Sequence, residues 1–320
     1  MCFAPRGQKL FVVNPLLDCA EVGTITQRNK GHPPMRYEVP TTTKAAAGLM
    51  AKAKGSAFLL AGGTDLLVRL KSGLVEPDLL VDVKRIPSMQ TVTRTAAGFR
   101  IGAAVPCAAL GENAALKKAW PGVVEAANLI GSDQIQSRCT IVGNLCNGSP
   151  AADSVPAMVA AGAKAIVVGP KGRRTVAVEE IVTGPGKTSL KKGEVIEAIT
   201  LPKPAPKSGD AYLRFIPRTE MDIAVVSAGV NLTLGPKGVI KKARVTLGAV
   251  GPTVLVVAAA AKAIIGSKLD DTALANLAAA CEAACRPIDD KRGTIEFRTE
   301  VAGVLARRAA RIAYQRAGGK

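Results

Sequence analysis

The chain has 320 residues, enough for one large domain or two to three smaller ones, and 43 Lys and Arg against 25 Asp and Glu give it a formal net charge of +18. Apolar residues at 48% and charged residues at 21% are the balance of a folded globular chain rather than a disordered one. A single histidine, His32, excludes a multi-histidine zinc site, and 3% aromatic residues are too few for a base-stacking nucleic-acid platform, although the charge alone suits attraction to phosphate.

Residues 1–34 are loosely patterned and are expected to be an N-terminal extension. The apolar run Leu10–Leu17 is broken by Asn14 and Pro15, and Asp18 precedes Cys19 where an exported lipoprotein needs a small residue. The expectation is therefore a chain that is not exported and has no spanning helix.

Regular patterning starts at Arg36. Thr41-Thr42-Thr43 before Lys44-Ala45-Ala46-Ala47 predicts a capped helix. Ala57–Leu60 and Leu79–Val83 read as buried strands, with a glycine turn at Ala61–Asp65 and a short helix over Leu66–Lys71 between them. Strand, turn, helix, strand predicts a small α/β unit with a parallel pair. Phe99–Ala104 reads as a strand, Leu116–Ile130 as one alanine-rich helix, Thr140–Asn144 as a second loop and Ala157–Gly162 as a helix. Ala163–Val168 and Arg174–Val178 form a predicted hairpin around Gly169-Pro170-Lys171-Gly172, and Val195–Leu201 is a further strand. Pro202–Gly209 is proline-dense and predicts a linker. Beyond it, Ile223–Leu234 and Ala243–Ala249 read as antiparallel strands. Helices follow at Val256–Ile265, Thr272–Ala284 and Thr294–Ala317, the last with a basic face of Arg307, Arg308, Arg311 and Arg316.

The seven cysteines (Cys2, Cys19, Cys107, Cys139, Cys146, Cys281 and Cys285) are odd in number and contain no CxxC. Neither a disulfide framework nor a zinc ribbon is indicated, and free thiols suit a reducing cytoplasm. Cys139 and Cys146 lie in a loop-rich stretch where a redox or metal role stays open beside incidental burial.

Two loops carry the chemistry. In Ala61-Gly62-Gly63-Thr64-Asp65 the glycines let the backbone approach a ligand, successive N–H groups form an anion cradle, and Thr64 adds a hydroxyl. Thr140-Ile141-Val142-Gly143-Asn144 supplies a second hydroxyl, glycine and amide. Each tripeptide alone is more often a structural turn. There is no GxxxxGK[ST] and no GxGxxG after the first strand, so neither loop is a P-loop or a Rossmann fingerprint. What remains is two loops able to clamp one pyrophosphate from both sides.

Leu59-Leu60-Ala61-Gly62-Gly63-Thr64-Asp65-Leu66-Leu67 resembles the first FAD loop of the flavoprotein subunits of molybdenum hydroxylases, the carbon monoxide dehydrogenase and xanthine dehydrogenase type. Thr140–Asp153 resembles the second loop. Lys187-Thr188-Ser189-Leu190, Tyr212–Phe215 through Met221–Ala224, Leu247–Pro252 and Phe297-Arg298 extend the resemblance over residues 36–316. It implies an α+β chain. A bipartite FAD-binding fold of the vanillyl-alcohol oxidase type, with two α/β subdomains, would be followed by a C-terminal domain of antiparallel sheet and helices. The implied divisions are 1–34 as the extension, 35–84 and 85–203 as the subdomains, and 209–320 as the C-terminal flavoprotein domain.

The resemblance also implies roles. Leu60, Ala61, Gly62, Gly63, Thr64, Asp65 and Leu66 would hold the pyrophosphate from one side and Thr140, Gly143 and Asn144 from the other. Ala103 would line the adenine side, where Pro106-Cys107 depart from the family's Thr-His. Ser149 and Asp153 would reach the ribityl or ring region, next to Asn147-Gly148 in place of the usual Thr-Ala. Leu190 would pack on the flavin, and Arg214 would set a cation near its redox face, favouring the anionic reduced form. The alternatives are that Arg214 pairs with a surface carboxylate and that Asp153 is a helix N-cap.

On this resemblance FAD is bound non-covalently. The chain would pass electrons from 2Fe–2S clusters on a small partner subunit to an external acceptor, while oxidation proceeds at a molybdenum–pterin centre on a large partner. The assembly would be a dimer of heterotrimers in the cytoplasm, with no nucleic acid and no catalytic or metal-ligating residue of the chain's own. A self-sufficient FAD-dependent oxidoreductase of the same fold, or a basic nucleotide or nucleic-acid binding module, are the alternative readings.

Overall fold

The first three strands form an all-parallel sheet in the order β1-β3-β2. They are β1 (Arg36–Glu38), β2 (Ala57–Leu60) and β3 (Leu79–Asp82), with α1 (Thr43–Lys52) and α2 (Leu66–Lys71) as crossovers. The computed structural model describes residues 34–319, so the predicted extension with Cys2, Cys19 and His32 lies outside the described residues. β3 is central and all four of its residues are buried, as its unbroken apolar run requires. The Thr42 hydroxyl accepts the Ala45 N–H at 3.2 Å, so the expected cap starts α1. α2 is apolar in sequence yet buries none of its residues.

The second block runs β4 (Val92–Thr95), β5 (Gly98–Gly102), α3 (Cys107–Glu112), α4 (Ala114–Ala119), α5 (Pro121–Ala127), α6 (Asp133–Gln136), α7 (Ile141–Cys146), α8 (Ser154–Ala160), β6 (Lys164–Gly169), β7 (Gly172–Ala177), β8 (Val182–Gly184), β9 (Lys187–Thr188) and β10 (Val195–Pro202). Five of these strands form an antiparallel sheet in the order β4-β5-β10-β6-β7. The single helix expected over Leu116–Ile130 is two helices. Trp120, preceding a proline, sits at φ −139°, ψ 64°, and Pro121 restarts the helix at a position that needs no N–H. The Trp120 indole donates to the Pro202 carbonyl at 2.9 Å, tying this break to the end of β10. Thr140–Asn144, expected as loop, is the capped start of α7, because the Thr140 hydroxyl accepts the Gly143 N–H at 2.9 Å.

The third block is a four-stranded antiparallel sheet, β11 (Ser208–Phe215), β12 (Val226–Leu234), β13 (Ile240–Gly248) and β14 (Leu255–Val256), covered by α9 (Ala258–Ile264), α10 (Asp271–Ala284) and α11 (Ile295–Arg316). The irregular linker is shorter than expected: β10 runs to Pro202 and β11 begins at Ser208. β12 starts at Val226 rather than Ile223. α11 turns Ala302, Ala306, Ala309, Ala310 and Ala313 inward, while Arg307, Arg308 and Arg311 stay exposed. Small residues let the helix lie close to the sheet. A Cβ on Gly209 of β11 would sit 2.3 Å from the Ala313 carbonyl oxygen.

Residues 35–320 form one compact unit containing two hydrophobic clusters, one around β5, β10, α5, α7 and α8 and one between β12, β13 and helices α9–α11. Asp210 of β11 links the blocks. Its carboxylate accepts the Val123 N–H of α5 at 3.2 Å, and its carbonyl accepts from Arg316, which also pairs with Glu125. Burial lifts the Asp210 carboxyl to about 7, against the opposing pull of Arg316. A carboxyl raised in the folded chain binds its proton more tightly there than when unfolded. Its stabilising contribution is thus complete at acid pH and is lost as pH rises from about 4 to about 7. Thermal unfolding across that window is expected to show a falling midpoint that flattens in Asp210→Asn. An unchanged pH profile in the variant would refute this assignment. No helix among the described residues is long and apolar enough to cross a membrane.

Candidate functional site

A cavity of about 750 Å³ opens between the turn after β2 and the start of α7. Ala61, Gly62, Gly63, Thr64, Asp65 and Leu66 line it from the first side. Thr140, Gly143 and Asn144 line it from the other, with Ala103 and Leu190 also in its wall. Gly63 takes φ +77°, a left-handed backbone that glycine adopts without strain. The turn then feeds α2, whose first bond runs from the Leu67 N–H to the Gly63 carbonyl at 2.9 Å.

Among the described residues, nothing accepts the backbone N–H groups of Gly62, Gly63, Thr64 and Asp65. Four successive unsatisfied donors at a cavity wall form an anion cradle. The facing side adds two more donors. The Thr140 oxygen is occupied by the Gly143 N–H, which leaves its proton free to be given. The Asn144 side-chain oxygen accepts from Ser154 Oγ at 2.7 Å and Ser154 N at 3.1 Å, leaving its NH₂ unassigned. Asn147 Nδ2 donates to Asp65 Oδ1 at 3.3 Å and ties the two sides together.

The rest of the wall includes apolar side chains, among them Phe58, Ile130 and Ile196. A donor cluster beside an apolar slot suits a ligand with an anionic centre and flat apolar rings, and these residues therefore fit FAD.

Leu60, Ser149, Asp153 and Arg214 do not line this cavity. Leu60 is buried behind it, with its Cδ1 2.9 Å from where a Cβ on Gly63 would fall. Ser149 accepts the Ala151 N–H at 3.2 Å in a local turn. Asp153 immediately precedes α8 but makes no side-chain cap. Instead its carboxylate accepts Arg214 Nη1 at 2.8 Å and the Tyr212 hydroxyl at 3.1 Å. Arg214 thus pairs with a buried carboxylate rather than a surface one, at 6% side-chain exposure. Burial raises the Asp153 carboxyl above its usual range even with Arg214 opposing it, and burial raises the Tyr212 phenol well above its own.

Among the lining residues that the sequence reading did not name are Arg69, Glu194 and Gly186. Arg69 stands over the Phe58 ring at 6.0 Å, and helical spacing from Leu66 would have pointed to its face. Glu194 accepts from Arg174 Nε and Nη2, each at 2.8 Å, and those bonds hold its carboxyl at about 2. Gly186 takes φ +69° in Gly184-Pro185-Gly186, a turn signal that sequence alone shows.

Residues 33–204 match the family described as "FAD binding domain in molybdopterin dehydrogenase", and residues 211–313 match "CO dehydrogenase flavoprotein C-terminal domain". The carbon monoxide dehydrogenase medium chain of Afipia carboxidovorans is 34% identical over 88% of this chain and 97% of that one. The xanthine dehydrogenase FAD-binding subunit of Escherichia coli O157:H7 is 29% identical over 89% of this chain and 97% of its own. Among solved structures, reconstituted CO dehydrogenase from Oligotropha carboxidovorans superposes with a TM-score of 0.84 at 34% identity, covering 89% of this chain and 99% of that one. With its α+β bipartite fold and its paired donor loops, the chain belongs to the family of FAD-binding medium subunits of the molybdenum hydroxylases, the carbon monoxide dehydrogenase and xanthine dehydrogenase flavoproteins.

Proposed function

We propose that this chain is the electron-transfer subunit of a cytoplasmic molybdenum hydroxylase. It would work with an iron–sulfur small subunit and a molybdenum–pterin large subunit in a dimer of heterotrimers. The observation that carries the reading is the pair of donor loops facing one cavity, with four N–H groups on one of them that no described residue accepts. What FAD supplies when bound is a two-electron store that can be filled from one-electron clusters and emptied to an acceptor.

The chain's own part is to hold and orient that group. The N–H groups of Ala61 to Asp65 and the Thr64 hydroxyl grip the pyrophosphate, Leu60 and Leu66 brace the turn, and Thr140, Gly143 and Asn144 close from the other side. Ala103 and Leu190 present apolar surface to the rings. Asp153 and Arg214, with Ser149 before them, act as positioning residues that fix the start of α8 against β11. The working divisions are residues 35–84 and 85–203 for the two FAD subdomains and 209–320 for the C-terminal domain.

The purified chain is expected to carry, or take up, about one FAD, seen in its visible absorption spectrum and released intact by denaturation. A chain that takes up no flavin at all would refute the reading. Electron delivery from an oxidisable substrate is expected only after the partner subunits are added. Turnover by the chain alone would refute the division of labour.

A further inference from the structure

Cys107 opens α3, and Cys139 is the residue before the Thr140 cap of α7. Both thiols are free and buried, yet Cys139 also forms part of the cavity wall. Their backbones are joined directly, the Cys107 N–H donating to the Cys139 carbonyl at 2.8 Å. Standard bond lengths on either side of that contact keep the two Cα atoms within roughly 7 Å, the span a disulfide bridges. The two thiols act on each other: their interaction raises the Cys107 thiol and lowers the Cys139 thiol, so Cys139 is the readier nucleophile and Cys107 the proton-bearing neighbour.

Cys139 is also the mechanical link between the two loops. Its N–H is held by the Ile135 carbonyl at 2.7 Å. Its Cα lies 2.8 Å from where a Cβ on Gly62 would fall, so this backbone presses on the first loop. Thr140, one residue on, caps the second. A displacement at Cys139 therefore reaches both donor sets at once.

We propose that Cys107 and Cys139 form a reversible disulfide when the chain meets hydrogen peroxide, and that the linked chain holds its cofactor less tightly. The second half rests on the FAD reading above. The Cys139 sulfur attacks the peroxide oxygen and the O–O bond breaks. One equivalent of water leaves and Cys139 is a sulfenic acid. The Cys107 sulfur then attacks Cys139, the S–O bond breaks, and a second water leaves with the Cys107 proton. Two thiols lose two electrons and two protons in total, and the peroxide is reduced to two waters. Cys139 meets the solvent side through the cavity wall, so bound FAD shields it.

The test uses the full-length chain, reduced, freed of reductant and titrated with hydrogen peroxide. It is then alkylated, digested without reductant and mapped by mass spectrometry. FAD affinity is followed in parallel by flavin fluorescence quenching. The expected result is a peptide joining residues 107 and 139, lighter by two hydrogens, with FAD binding weakened about tenfold and both changes reversed by dithiothreitol. Excess FAD slows the linkage. Cys107→Ser, which keeps the side-chain size, leaves Cys139 as a dimedone-reactive sulfenic acid with no cross-link. Dimedone labelling of Cys139 in that variant is the internal control for peroxide dose. A parent chain with no 107–139 peptide at the dose that labels Cys139 in that variant would overturn the proposal, as would a variant whose Cys139 is never labelled, or a linked chain of unchanged FAD affinity. A reduced chain that binds no FAD would overturn the cofactor reading, while the cross-link is scored independently of it.

Discussion

Gly62→Ala is expected to weaken FAD binding at least a hundredfold while leaving the chain folded. The added methyl would fall 2.1 Å from the Arg138 carbonyl oxygen and 2.8 Å from the Cys139 Cα. Both are backbone atoms and cannot rotate away as a flexible side chain would. The turn must back off, and with it the N–H groups of Gly62 to Asp65. A hundredfold loss is about 2.7 kcal/mol, little more than one charge-assisted hydrogen bond to a pyrophosphate oxygen. Gly48→Ala is the matched control, because nothing lies within 4 Å of its added methyl and it sits inside α1, where alanine is the better helix former. Flavin titration with a thermal melt of each variant separates binding from folding. Binding by Gly62→Ala within a few-fold of the parent would refute the assignment of this turn.

Asp153→Ala is expected to cost about 3–5 kcal/mol of stability, the usual penalty for stranding one member of a buried ion pair. The side chains of Arg214 and Asp153 are 6% and 11% exposed, so water cannot replace the lost partner. The Tyr212 hydroxyl loses its acceptor as well. Burial keeps the Asp153 carboxyl raised even with a guanidinium 2.8 Å away. Desolvation therefore outweighs the attraction at this carboxyl, and the pair is worth little net although breaking it is costly. The double replacement Asp153→Leu with Arg214→Met should accordingly recover most of the loss. Denaturant unfolding of Asp153→Leu, Arg214→Met and the double variant completes the cycle. A double variant as unstable as the sum of the singles would show that the two side chains are not coupled, and would refute the broken pair as the cause of the loss.

The glycine turn, the parallel unit around it and the hairpin at Gly169–Gly172 were legible because each is a local pattern of apolar runs and turn residues. α7 was not, since Gly143 and Asn144 argue for loop, and what settles the matter is one hydroxyl, Thr140, capping Gly143. The break at Trp120 was readable in principle from Pro121, but the alanine-rich spacing on either side outweighed it. The links that shape the site are long-range and leave no mark in periodicity. Asn147 meets Asp65 across 82 residues and Arg214 meets Asp153 across 61. The resemblance to a family supplied the residues of both loops, yet it could not show that Asp153 and Arg214 satisfy each other rather than face the cavity.

The position of β10 has a consequence for biosynthesis. This strand lies between β5 and β6, although some ninety residues separate it from β5 in the chain. Val195 and Ile196 at its start also close the cavity wall. The cavity therefore stays open-sided until the nascent chain has grown beyond Pro202 and that stretch has cleared the ribosomal exit tunnel. Residues 34–190 can collapse earlier, but they cannot enclose the flavin. Cofactor loading is thus a late event in the making of this chain, coupled to the insertion of one central strand.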